Sequence, residues 1–200
     1  MAVCFILIAS GCNSDKAKNN SAEESSGTVS VEAQPLVSLT PEQVIEQLHT
    51  ASLDGEIARV EEAIAAGADV NVPDAEGRTA LMYASFNGHS EIILLLVENG
   101  ASVARRDLMG RTALLYAATG PFAESVKILL DKGARPNVVD SDEHFSPLMH
   151  AAAEGNLDVV KILMEAGANP ELKDVDGDDA ESFARQAGHT SVADYLASKR

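Results

Sequence analysis

Five histidines, two cysteines and an acidic run near the C-terminus are the side chains that could give this chain catalytic or metal chemistry. The histidines are His49, His89, His144, His150 and His189. His144 and His150 stand six positions apart. A His-Asp pair in the segment 140–145 is the one opening for hydrolytic or metal-assisted chemistry. A transition-metal site needs further ligands at a recognisable spacing, and none follows. The run Asp174-Val175-Asp176-Gly177-Asp178-Asp179 alternates carboxylates as a calcium loop does. Such a loop requires Gly at its sixth position and Glu at its twelfth, where this chain has Asp179 and Arg185. The run therefore reads as an acidic loop tip. No Gly-x-Gly-x-x-Gly, phosphate loop or Gly-x-Ser-x-Gly occurs. Neither a catalytic residue nor a metal or cofactor is expected.

Cys4 and Cys12 both fall in the first twelve residues. Met1 to Ala9 is an apolar run, about half of what spans a bilayer as a helix, and it ends in small residues as secretory leaders do. Ala9-Ser10-Gly11-Cys12 resembles the lipobox of bacterial lipoproteins, although Ala9 stands where that family usually has Leu and no Lys or Arg precedes the run. The resemblance implies a leader over 1–11, cut before Cys12, whose thiol then carries the lipid. The expected location is the periplasm, anchored through Cys12; the alternative is a cytoplasmic protein with an apolar N-terminus. The folded part keeps no cysteine, so neither a disulfide framework nor a Cys-based metal site is available. Residues 12–38, rich in Ser, Asn, Glu and Lys, bury too little to offset chain entropy and read as a flexible linker. As a coil they reach about 25–30 Å.

The formal net charge is −16. An acidic chain repels phosphate, which excludes nucleic acid as an expected partner and leaves a membrane only through the lipid. Hydrophobic content of 46% supports a core, and aromatic content of 4% with no Trp favours close-packed helices over a sheet sandwich.

From residue 39 the sequence repeats. Thr79-Ala80-Leu81-Met82, Thr112-Ala113-Leu114-Leu115 and Ser146-Pro147-Leu148-Met149 lie 33 and 34 residues apart. The pairs Gly67-Ala68, Gly100-Ala101, Gly133-Ala134 and Gly167-Ala168 keep the same period. The hydroxyls of Thr79, Thr112 and Ser146 are suited to cap a helix, with Pro147 at the first helical position. Leu81, Leu114 and Leu148 open its buried face, and Ala84, Ala117 and Ala151 let helices approach. Gly88 and Gly155 end it; Gly120-Pro121 turns the chain in the third repeat. A second helix buries Ile93, Leu96 and Val97, then Val126, Leu129 and Leu130, then Val160, Leu163 and Met164. Leu94 falls on its solvated side. Turns follow at Asp74–Gly77, Asp107–Gly110 and Asp174–Gly177. The loop into the fourth repeat is one residue longer and has His144 where the others have Gly.

These motifs resemble the ankyrin pattern, in which Thr-Pro-Leu-His-x-Ala opens the first helix. The resemblance implies an all-α solenoid of helix-turn-helix repeats with projecting β-turn or hairpin loops, at 39–73, 74–106, 107–140, 141–173 and 174–200. It also implies structural roles for His49, His89 and His189. One helix pair cannot cover its own apolar face, so neighbours must stack and the ends must be polar. Glu46-Gln47-Leu48-His49 and Asp179-Ala180-Glu181-Ser182 occupy the capping slot of the two terminal repeats.

A repeat array is expected to bind a protein through its concave face of loop tips and first helices. The expected binding residues are Arg78, Phe86, Leu108, Met109, Arg111, Glu143, His144, Phe145 and Glu154. Leu108, Met109, Phe86 and Phe145 have no core role in the repeat pattern and read as one contiguous apolar patch. Arg78 and Arg111, with Arg105 and Arg106, read as a basic spot. Met109→Ala or Arg111→Glu is then expected to weaken binding and leave thermal stability nearly unchanged. The functional expectation is a monomeric, lipid-anchored periplasmic scaffold or inhibitor of one partner protein. A cytoplasmic binding protein is the alternative, and an enzyme on the repeats is a third class.

Overall fold

The computed structural model describes residues 39–199. The expected leader, Cys12 and the expected linker lie outside the described residues, which hold no helix long and apolar enough to cross a membrane.

Ten helices and no strand occur among the described residues: α1 (Pro41–Asp54), α2 (Ile57–Ala65), α3 (Ala80–Phe86), α4 (Ser90–Glu98), α5 (Ala113–Ala118), α6 (Ala123–Asp131), α7 (Pro147–Ala153), α8 (Leu157–Glu165), α9 (Ala180–Gln186) and α10 (Thr190–Ala197). Helices this short are marginal alone in water and depend on packing. The odd-numbered helices stack in one row and the even-numbered in a second, each against the next in its row.

Ala51, Ala84, Ala117, Ala151 and Ala184 are fully buried along the first row, where a larger side chain would push neighbours apart. Leu48, Leu81, Leu114 and Leu148 fill the space between the rows. The second-row stripe is turned one residue from the sequence expectation. Ile92, Ile93 and Leu96 are buried in α4, and Val159, Val160 and Leu163 in α8, while Val97, Leu130 and Met164 are only half-buried. The second row packs against two flanking neighbours as well as the first row, so the covered arc widens backward along the helix.

The caps follow the sequence with two differences. Thr112 accepts from the Leu115 N–H and Ser146 from Met149. Thr79 makes no such bond, and the Met82 N–H goes to the Thr79 carbonyl instead. In the first repeat Glu46-Gln47-Leu48-His49 is not a cap slot, because α1 has already begun at Pro41. Its capping box is Thr40 with Gln43, two orphan N–H groups satisfied reciprocally.

Neighbouring repeats are also stapled by polar groups. Asn71 donates to the Gly100 carbonyl and accepts from Ser102 N–H; Asn137 does the same with Gly167 and Asn169. Ala104 holds that register between them and has no amide to offer. His89 Nε2 bonds the Leu53 carbonyl at 3.0 Å, and the corresponding position one repeat on is Phe122, whose ring instead lies against Gly88 and Gly120.

Candidate protein-binding face

The loops before α3, α5, α7 and α9 form a row of tips. Each begins with an aspartate that folds its own turn. Asp107 Oδ1 accepts the N–H groups of Met109 (2.9 Å) and Arg111 (2.8 Å), while its own N–H reaches the Arg111 carbonyl (3.0 Å). Asp74, Asp140 and Asp174 repeat this device on their own loops. Gly77, Gly110 and Gly177 then take left-handed backbone, with φ of 82°, 75° and 87°. His144 occupies that position in the fourth tip with φ 60°, as its alignment with the turn glycines predicts.

One backbone hydrogen bond ties each tip to the next. Leu108 N–H reaches Glu76 O (3.0 Å), Ser141 N–H reaches Met109 O (2.8 Å), and Val175 N–H reaches Glu143 O (3.1 Å). The tips are therefore one ordered edge.

In the second and third tips an Arg and a Tyr close on the aspartate. Arg111 Nε donates to Asp107 Oδ2 at 2.9 Å and its guanidinium lies 4.9 Å from the centre of the Tyr116 ring. The Tyr116 hydroxyl donates to the same oxygen at 2.7 Å. Arg78, Asp74 and Tyr83 repeat the set, with Arg78 also bonded to Glu76. Burial and the bond to Asp74 raise the Tyr83 hydroxyl to about 12, and burial and Asp107 raise Tyr116 further. Burial works against ionisation of Asp74, but the bonds from Tyr83 and Arg78 outweigh it and hold its carboxyl below the usual range.

This geometry corrects the reading of Arg78 and Arg111 as a basic spot free of the fold. The Asp107 side chain is 1% exposed, so Arg111 neutralises a buried charge. Arg111→Glu cannot leave stability unchanged, as the sequence suggested. Arg105 is exposed, while Arg106 reaches the Val139 carbonyl.

The four apolar residues do not form one patch either. Leu108 (77% exposed) and Met109 (43%) crown the third tip. Phe86 (49% exposed) ends α3, its ring T-shaped to the Tyr116 ring. Phe145 has a core role: it is half-buried, packed edge-to-face on His150 and Phe183 with ring centres 5.4 and 5.1 Å away. It fills the slot that Arg78 and Arg111 occupy in their repeats. Glu143, His144 and Glu154 are exposed.

Asp140 Oδ1 accepts the Glu143 and Phe145 N–H groups, and no cluster of three His, Cys, Asp or Glu able to hold a metal occurs among the described residues. The Asp staples and the two Arg–Tyr closures escaped the sequence reading. The signal was present, because Arg and Tyr recur four and nine residues after the aspartate in both repeats.

A family model described as ankyrin repeats (3 copies) matches residues 48–140 and 120–200. The chain belongs to the ankyrin-repeat family. No curated protein matches it at the level of a recognisable relative. As an ankyrin-repeat array it is a protein–protein interaction module, and its partner-facing chemistry must be sought where the repeats differ from one another.

Proposed function

We propose that this ankyrin-repeat protein holds one partner protein on the face made by its loop tips and first helices, and that lipidated Cys12 tethers it in the periplasm. The observation that carries the binding face is Leu108 and Met109, two large apolar side chains exposed at a tip that backbone hydrogen bonds tie to the tips on either side. Exposed apolar side chains on a rigid edge supply contact area without the cost of ordering a loop backbone. Arg78, Arg111, Phe86, Glu143, His144 and Glu154 flank them. Phe145 shapes the edge from beneath. The repeats act as a scaffold or as an inhibitor according to whether the bound surface of the partner is its working one.

The test is a pull-down with the full chain, wild type against Leu108→Ser. Loss of a specific partner at unchanged melting temperature supports the face; an identical set of captured proteins refutes it. The anchor has its own test, metabolic palmitate labelling with cell fractionation. Unlabelled soluble protein refutes the lipidation of Cys12 and favours the cytoplasmic alternative.

A further inference from the structure

We infer that the segment bound on this face is a peptide of mixed chemistry, apolar where it crosses the third tip and rich in Lys or Arg where it crosses the fourth and fifth. The inference rests on the proposed binding face and adds the nature of its occupant.

The edge changes character along its length. At the second and third tips the aspartates are neutralised from within by Arg78 and Arg111. What those tips offer a partner is Leu108 and Met109. At the fifth tip the register of Arg78 and Arg111 is held by Asp178, a reversal of charge at a fixed place in the fold; its carboxylate is half-buried and accepts from the neutral Gln186 amide, which leaves the charge uncancelled. Asp142, Glu143 and Asp176 stand exposed on the fourth and fifth tips, and among the described residues the side chains of these three meet no hydrogen-bond or ion-pair partner. The cation at that corner, Lys173, has its ammonium on the Gly177 carbonyl at 2.7 Å. The second and third tips thus show how this edge balances a carboxylate, with a guanidinium, and the last two tips leave that role to an incoming chain. Complementary charge of this kind selects and orients a partner.

The order is set by the tip-to-tip backbone bonds, which place the third, fourth and fifth tips in sequence. At about 10 Å between packed helices, the third and fifth tips lie about 20 Å apart, a span of about six extended residues.

A random dodecapeptide library displayed on phage, panned against the full chain, supplies the probe. The expected peptides lose binding to the Leu108→Ser variant and pair an apolar anchor with two or more Lys or Arg. Each exposed ion pair shifts affinity by a few-fold at most. The Asp142→Asn, Glu143→Gln, Asp176→Asn, Asp178→Asn variant should therefore bind them about ten-fold more weakly by fluorescence anisotropy. Raising salt from about 0.05 to about 0.5 M should weaken wild-type binding similarly. Peptides that need Leu108 but carry no basic bias, or that ignore both salt and the amide variant, overturn this inference and leave the binding face standing. Peptides indifferent to Leu108→Ser, or a selection that recovers none, overturn both.

Discussion

The third and fifth tips have the same backbone and different side-chain closures. In each, the aspartate accepts two N–H groups of its own loop, its N–H returns to the residue four places on, and a glycine turns the chain in left-handed conformation. Asp107 then receives Arg111 and Tyr116, whereas Asp174 has Asp178 and Phe183 at those places. The turn does not need the cation or the hydroxyl. Those are added stability in one tip and are dispensed with in the other, which frees the same register to present negative charge. A repeat frame can thus vary its binding surface without altering its path.

The largest test of that contrast is Asp107→Ala beside Asp174→Ala. Removing Asp107 strands a partly buried guanidinium and two loop N–H groups, and should cost on the order of 3 kcal/mol. Asp174→Ala should cost about 1 kcal/mol, the worth of loop hydrogen bonds alone. Thermal and urea unfolding measure both, and equal losses would break the comparison. Arg111→Glu comes next, at about 2 kcal/mol, because it sets a second carboxylate against a buried one. The reciprocal Asp178→Arg should be neutral or slightly stabilising, by less than about 1 kcal/mol. His144→Gly should raise stability by up to about 1 kcal/mol by relieving the left-handed backbone that the other tips give to glycine.

Acid sharpens the contrast at the fourth repeat. Burial holds His150 below its ordinary value of 6.5, against the pull of Asp140. Burial likewise lowers His49, whose ring bonds the Val72 carbonyl. The unfolded chain therefore binds these protons more tightly. Their contribution is fully present above pH 6.5 and is lost as pH falls toward the folded-state values. Melting temperature measured from pH 7 to 5 should fall less in His150→Phe, which copies Phe183. The smallest effect belongs to Leu108→Ser, within about 0.5 kcal/mol, since this side chain is exposed.

The fold was legible because its determinants are local and periodic. The recurring Leu81, Leu114 and Leu148, the capping hydroxyls of Thr112 and Ser146, and the turn glycines with their stand-in His144 each declare themselves within one repeat. The binding face was legible only in part. Leu108 and Met109 stood out as apolar residues in a turn, and they are exposed. Phe145 looked the same in sequence, but its burial depends on Phe183, 38 residues on, and on the absence of an Arg at its own register. Arg111 looked free because its carboxylate is drawn in by loop geometry, which composition does not reveal. Periodicity tells which residues are equivalent; it does not tell which of them fold back on a neighbour.

The missing amide at Ala104 has a mechanical consequence. The joint between the second and third repeats lacks both the asparagine clasp of its neighbours and the imidazole link that His89 provides one joint earlier. It is held instead by the Leu108–Glu76 backbone bond, by the Ser90 hydroxyl on the Glu124 carboxylate, and by aromatic contact, Phe122 against Gly88 and Phe86 against Tyr116. A side chain added at Gly88 would strike the Phe122 ring and pry this joint open, and a partner spanning the joint would act as a splint.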